Sequence, residues 1–222
     1  MKFSEMICKE VDPILKAQYN HPFVKGLADG TLDIDLFRFY MIQDTLYIVE
    51  YARTIALAAT LITDVEEVIN MLETAKETFK IETMLKTEYF DKLNITMKEA
   101  MQADLTPTTK AYVDHLMRYT RHGNLAEAMA AILPCGWIYV EIGRVFTEGK
   151  KIEDNHPYKS WLKTYAVPEL RDMVNWWFDI LDRAVEGMPA HMTDHVKDIF
   201  MKSCRFEWMF WEMAWKKENW QP

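Results

Sequence analysis

Apolar residues recur every three to four positions along almost the whole chain, and no stretch alternates apolar with polar as a half-buried strand would. That periodicity predicts a succession of helices. The first covers residues 4–19, with Ser4 as its cap and Pro13 placed to bend it. His21-Pro22 opens a short segment that Asp29-Gly30 closes. A long helix follows over about 33–62. Asp64 caps the next, whose acidic first turn (Glu66, Glu67) suits the helix dipole and which runs to about Tyr89. Pro107 starts another, ended beyond Arg121 by Gly123. Residues 124–146 form the next, interrupted at Pro134. After a turn-rich interval over 148–157 come helices near 158–165, 168–186 and 193–216. No linker, low-complexity tract or solenoid-period repeat breaks the pattern. The chain of 222 residues therefore reads as an all-α, single-domain bundle of about eight or more helices spanning 1–222.

Composition removes several function classes. With 26 Lys+Arg against 34 Asp+Glu the net charge is −8, and no basic run offers the face that phosphate neutralisation needs, so no nucleic-acid partner is expected. Half the residues are hydrophobic and 13% aromatic, ample for a buried core. Only 7 glycines are present, and there is no Walker, dinucleotide or Gly-x-Ser-x-Gly signature. Glu5, Lys9, Glu10 and Asp12 interrupt any secretory apolar stretch. The longest apolar run, 126–140, is broken by Glu127, Pro134 and Gly136, short of the roughly 20 residues of a membrane span. Cys8, Cys135 and Cys204 are too few and too scattered for a disulfide framework or a structural zinc site. A cytoplasmic protein with no membrane partner is expected.

The informative positions are polar groups on apolar helix faces, because burying a carboxylate or thiol needs a reason. In the last helix the inward stripe reads Val196, Ile199, Phe200, Ser203, Cys204, Glu207, Phe210, Trp211, Ala214. Aromatic surroundings would raise the pKa of Glu207, the condition for a general acid near neutral pH; alternatively it sits at the stripe's edge and meets water or Arg205. In the second long helix Tyr40, Asp44, Tyr47, Tyr51 and Thr54 share one face. Asp44, one turn from two tyrosines, is placed either to accept hydrogen bonds from an amino-bearing ring stacked on them or to be satisfied by tyrosine hydroxyls. Pro134 bends the chain beside Cys135, and Cys135 and Tyr139 lie one turn apart. Cys135 also continues an apolar stripe, where a cysteine serves equally as a small inert hydrophobe. Tyr112 belongs to a similar stripe with Leu116 and Tyr119.

Metal and haem chemistry find little support. The one Glu-x-x-His, Glu153 to His156, falls in a turn before Pro157, and the pair His191 and His195 begins beside Pro189. His21, ahead of a short helix, is only a weak candidate for a haem ligand. No metal is expected.

These segments, in this order, resemble the TenA family of thiaminase II enzymes, the aminopyrimidine aminohydrolases, in the class that retains a cysteine. The resemblance runs from His21-Pro22-Phe23-Val24 and Asp29-Gly30-Thr31-Leu32 through Tyr40-Met41-Ile42-Gln43-Asp44 with Tyr47 and through Tyr112. It continues through Leu133-Pro134-Cys135-Gly136-Trp137-Ile138-Tyr139 and Trp161-Leu162-Lys163-Thr164-Tyr165. It closes with Phe206-Glu207-Trp208-Met209-Phe210-Trp211-Glu212-Met213-Ala214-Trp215. It implies a haem-oxygenase-like bundle without haem, usually a homotetramer, needing no metal or organic cofactor. Carried over position by position, Cys135 matches the family's nucleophile, Glu207 its general acid/base, and Asp44 the carboxylate that engages the ring's amino group. Tyr47, Tyr112, Tyr139 and Tyr165 match groups lining the substrate pocket.

The implied reaction hydrolyses 4-amino-5-aminomethyl-2-methylpyrimidine, or thiamin, to the 5-hydroxymethyl compound in thiamin salvage. An aminopyrimidine accepts a nucleophile once a ring nitrogen is protonated, which joins a carboxylic acid of raised pKa to a thiolate. Three positions depart from the family pattern. Gly136 stands where many relatives carry an aromatic group, Arg205-Phe206 replaces a tyrosine-rich pair, and Ala166-Val167-Pro168 follows Tyr165. All three bear on pocket shape and substrate preference. Two other readings are a non-catalytic pyrimidine-binding or regulatory protein of the same fold and a haem-oxygenase-like redox protein.

Overall fold

The computed structural model describes residues 1–221, except for the side chains of residues 81–87. Among the described residues every regular element is a helix: α1 (Phe3–Asn20), α2 (Pro22–Asp29), α3 (Ile34–Ala59), α4 (Val65–Leu93), α5 (Met97–Gln102), α6 (Pro107–His122), α7 (Leu125–Thr147), α8 (Lys159–Thr164), α9 (Pro168–Ala184) and α10 (Ala190–Lys216). Their starts follow capping chemistry. Asp64 accepts the Glu67 N–H at 2.9 Å, and Asn124 with Glu127 forms a reciprocal capping box on α7. Prolines open α2, α6 and α9, where the missing N–H is no loss.

Four features differ from the periodicity reading. Ser4 does not cap α1, which starts at Phe3; its N–H and hydroxyl both donate to Asp182 of α9 at 2.7 Å and tie those helices together. The short α5 was not foreseen, although Thr96 and Glu99 form a capping box that the sequence displayed. The last helix starts at Ala190, directly after Pro189. Pro134 does not interrupt α7, which continues through it. One lost ladder bond is outweighed because α7 is packed on several sides, by α3, α6, α9 and α10.

This central position also explains the composition of α7. It is long and apolar enough to cross a membrane by length and composition alone, yet most of it is buried inside the fold. Three large aromatic side chains, Trp161, Trp177 and Trp211, are fully buried around the same centre.

One polar clamp fastens the amino-terminal helix to α10. Gln18, fully buried, donates from Nε2 to the Cys204 carbonyl at 2.9 Å and accepts the Trp211 indole N–H at 2.8 Å. Replacing Gln18 with leucine would leave both partners unsatisfied in the core. Urea unfolding of Gln18→Leu is expected to show a loss of about 3 kcal/mol in stability with an unchanged m-value.

Candidate active site

The 3.6-residue repeat carries Tyr40, Asp44, Tyr47 and Tyr51 of α3 along one buried face, pointed at α7. From α7 the facing residues are Cys135 and Tyr139, one turn apart. Tyr165 follows α8 and closes edge-on against Tyr139, ring centroids 4.8 Å apart. Gly143 permits that closure, because a Cβ there would lie 2.5 Å from the Tyr165 carbonyl group. Tyr139 is held from its other side by a 3.0 Å hydroxyl–hydroxyl bond with Tyr40.

Between these elements lies a partly open cavity of about 80 Å³. A single water needs only ~10–15 Å³, so the space holds a molecule several times larger. Its polar wall is formed by Asp44, Tyr47, Tyr51, Cys135, Tyr139 and Tyr165. Its apolar wall comes largely from α9, through Leu170, Met173 and Trp177. A space with aromatic sides and one carboxylate suits a planar ring that carries hydrogen-bond donors.

Glu207 and Tyr112 stand one layer behind this wall. Glu207 of α10 is 1% exposed, and the Tyr112 hydroxyl of α6 donates to its Oε1 at 2.5 Å. The Tyr112 ring is stacked between Phe206 and Tyr47, with centroids 5.1 and 5.0 Å away. Tyr47 in turn stacks on Tyr51. The carboxyl is thus boxed by rings and fixed by one phenol.

Electrostatics follow from that enclosure. Burial raises the Glu207 pKa from 4.5 to about 7, with the Tyr112 hydrogen bond and the Cys135 thiol pulling the other way. Burial also pushes the Cys135 thiol well above its ordinary value of 9.0, and the neighbouring Glu207 charge pushes it further. The two groups therefore disfavour each other's anions and compete for one negative charge. The Tyr47 hydroxyl opposes the rise at Cys135, yet it is buried without a hydrogen-bond partner of good geometry. Geometry decides here: this is a donor placed for a thiolate and not a bond already made. Near neutral pH the site holds a thiol beside a carboxyl poised to give or take a proton.

Of the seven candidate residues, Asp44, Tyr47, Cys135, Tyr139 and Tyr165 meet at the cavity, while Tyr112 and Glu207 support it from behind. Tyr51 and the α9 wall were not foreseen as parts of the site. Tyr51 shared the legible stripe of Tyr47, but the 3–4 spacing of Leu170, Met173 and Trp177 marks a buried face without saying what it faces. Cys8 and Cys204 do not line the cavity, and burial drives the Cys8 thiol up to about 12.

Comparison with known proteins bears on family and fold. Residues 8–217 match the model of the TENA/THI-4/PQQC family. An aminopyrimidine aminohydrolase of Halalkalibacterium halodurans is 34% identical over 221 residues, covering 99% of this chain and 98% of that one. A TenA homologue from P. horikoshii OT3 superposes with a TM-score of 0.86 at 27% identity, covering 97% and 99% of the two chains. A domain from Shewanella denitrificans with a heme oxygenase-like fold superposes with a TM-score of 0.69 at 15% identity, covering 96% and 90%, and identifies the fold class as haem-oxygenase-like.

The raised Glu207 pKa has a thermodynamic signature. A group whose folded pKa exceeds its unfolded value binds more protons in the folded state, so the stability it contributes falls as pH climbs through that window. Here the window runs from 4.5 to about 7. Urea unfolding across it is expected to show Glu207→Gln gaining roughly 3 kcal/mol relative to the parent as pH rises. In Tyr112→Phe the parent's decline should extend above pH 7, because the hydrogen bond that favours the carboxylate is gone.

Proposed function

The chain belongs to the TENA/THI-4/PQQC family, and from that premise we propose that it is an aminopyrimidine aminohydrolase (thiaminase II) of thiamin salvage. It hydrolyses 4-amino-5-aminomethyl-2-methylpyrimidine, and thiamin, to the 5-hydroxymethyl product. The observation that carries this reading is the coupling of Glu207, just behind the cavity wall, to Cys135 on that wall, in a cavity that Asp44 also lines.

The steps follow from that pair. The pyrimidine enters with its 4-amino group toward the Asp44 carboxylate and its ring among Tyr47, Tyr139 and Tyr165. Glu207, as carboxylate, takes the Cys135 thiol proton, and Tyr47 turns its unpartnered hydroxyl to the new thiolate. Sulfur bonds to the ring carbon, the displaced electron pair moves onto the neighbouring ring nitrogen, and Glu207 supplies the proton that nitrogen needs. The ring, no longer aromatic, expels the amine from the C5 methylene. Water adds to the methylene and loses its proton; the ring nitrogen gives its proton back to Glu207 as the carbon–sulfur bond breaks and aromaticity returns, and Glu207 reprotonates the released thiolate. Tyr112 keeps the Glu207 pKa close enough to neutrality for both directions of transfer.

This reading places the enzyme in the cytoplasm, supported by three free cysteines. It also takes the protein to be a homotetramer, supported by the exposed apolar residues Val65, Ile69 and Leu72 along one side of α4.

Release of hydroxymethylpyrimidine, followed by chromatography, is expected to vanish in Cys135→Ser with helical content intact. It should fall about 10²–10⁴-fold in Glu207→Gln. Full turnover by Cys135→Ser would sink the nucleophilic mechanism, and ring binding without turnover by the unaltered protein would identify a binding protein instead.

A further inference from the structure

Gly136 is out of place by every local criterion. Glycine inside a helix costs stability relative to alanine, so an interior glycine needs a reason. Gly143 has one, since a Cβ would collide with the Tyr165 backbone at 2.5 Å, and Gly26 has one in Leu32 at 3.0 Å. At Gly136 the backbone is ordinary helix, and a Cβ would rest 3.6 Å from Met173 Cε and Val174 Cγ2 and 3.8 Å from Trp177 Cζ3. Those are comfortable van der Waals contacts. Neither chain conformation nor helix packing asks for glycine here.

The cavity does. From residue 128 to residue 140 every position is buried except Gly136, and the cavity is what it opens to. Across from it, on α9, stand Leu170, Met173 and Trp177, and Val140 lies one turn along α7, together an apolar lobe without a charged group. Asp44 and the tyrosine hydroxyls belong to the other, polar wall, and Cys135 stands where the two meet, next in sequence to Gly136.

We infer that Gly136 is a specificity-determining residue that keeps open an apolar lobe along α9 for the group displaced from the C5 methylene. The inference rests on the aminohydrolase reading and adds the class of leaving group, namely amines with an aliphatic or aromatic body. With the ring anchored at Asp44 and attacked by Cys135, the displaced group lies on the far side of the thiol, against Met173 and Trp177. A side chain at 136 would occupy that lobe. A small hydrated ammonium gains little from such walls, whereas an apolar body is favoured by burial there.

The test uses a series of 5-(aminomethyl)pyrimidines that release ammonia, methylamine or benzylamine, with thiamin as a further bulky case. The measurement is kcat/KM for each substrate in the unaltered protein, Gly136→Ala and Gly136→Leu. The benzylamine-to-ammonia ratio of kcat/KM is expected to fall about threefold in Gly136→Ala and at least tenfold in Gly136→Leu. Gly136→Ala is also expected to raise Tm by a few degrees. A ratio unchanged within twofold, or a lower Tm for Gly136→Ala, overturns the assignment while leaving the aminohydrolase reading in place. No hydroxymethylpyrimidine from any substrate with the unaltered protein overturns both. Should Gly136→Leu fail to fold, Gly136→Ala decides on the same two readouts.

Discussion

The constraint from which the rest of the structure follows is the burial of the Glu207 carboxyl with hydrogen-bonding neighbours in place of a counter-charge. Burial sets its pKa near 7, and Tyr112 and Cys135 are the groups that hold it from going higher. A salt bridge would have fixed it as a permanent carboxylate, unable to take and return a proton near neutral pH. Aromatic enclosure instead leaves it balanced between forms. The same enclosure keeps Cys135 a thiol at rest, so the nucleophile is generated only as its proton leaves.

Holding such a balance requires neighbours that do not relax. The stack from Phe206 through Tyr112 and Tyr47 to Tyr51 spans three helices beside a carboxyl that is 1% exposed. Tyr51 ends that stack on α7 itself, donating to the Ile132 carbonyl at 2.9 Å, one turn before the residue that follows Cys135. Gln18 secures α10 to the amino-terminal helix, and Ser4 with Asp182 secures α9. Polar bonds are therefore spent where helices must keep their relative positions, and apolar packing fills the rest.

The helices and the residues that would carry the chemistry were largely legible in the sequence. Period-3.6 patterning, the caps at Asp64 and Asn124, and the anomalous Asp44 and Glu207 on apolar faces are local signals, written within one turn of the chain. Ser4 misled because a serine near a helix start serves equally well as a cap or as a tether, and the tether, Asp182, lies 178 residues away. Pro134 misled because propensity is overridden when a helix is packed from several sides. The α9 wall and the stacking order of the tyrosines were beyond reach for a related reason: a stripe shows that a face is buried, and only the tertiary arrangement shows against what. Gly136 lay in between. Its identity was visible, but its clearance from Met173 and Trp177, which turns a missing side chain into a lobe, was not.

The central claim is that Glu207 carries a proton at near-neutral pH because the fold buries it. Carbon-13 NMR of the protein labelled at its glutamate carboxyls, with Glu207→Gln to identify the resonance, measures this directly. The account predicts a single titration of the Glu207 carboxyl with a midpoint near 7, which moves upward in Tyr112→Phe. A midpoint near the ordinary 4.5, unmoved by removal of the Tyr112 hydroxyl, would contradict it.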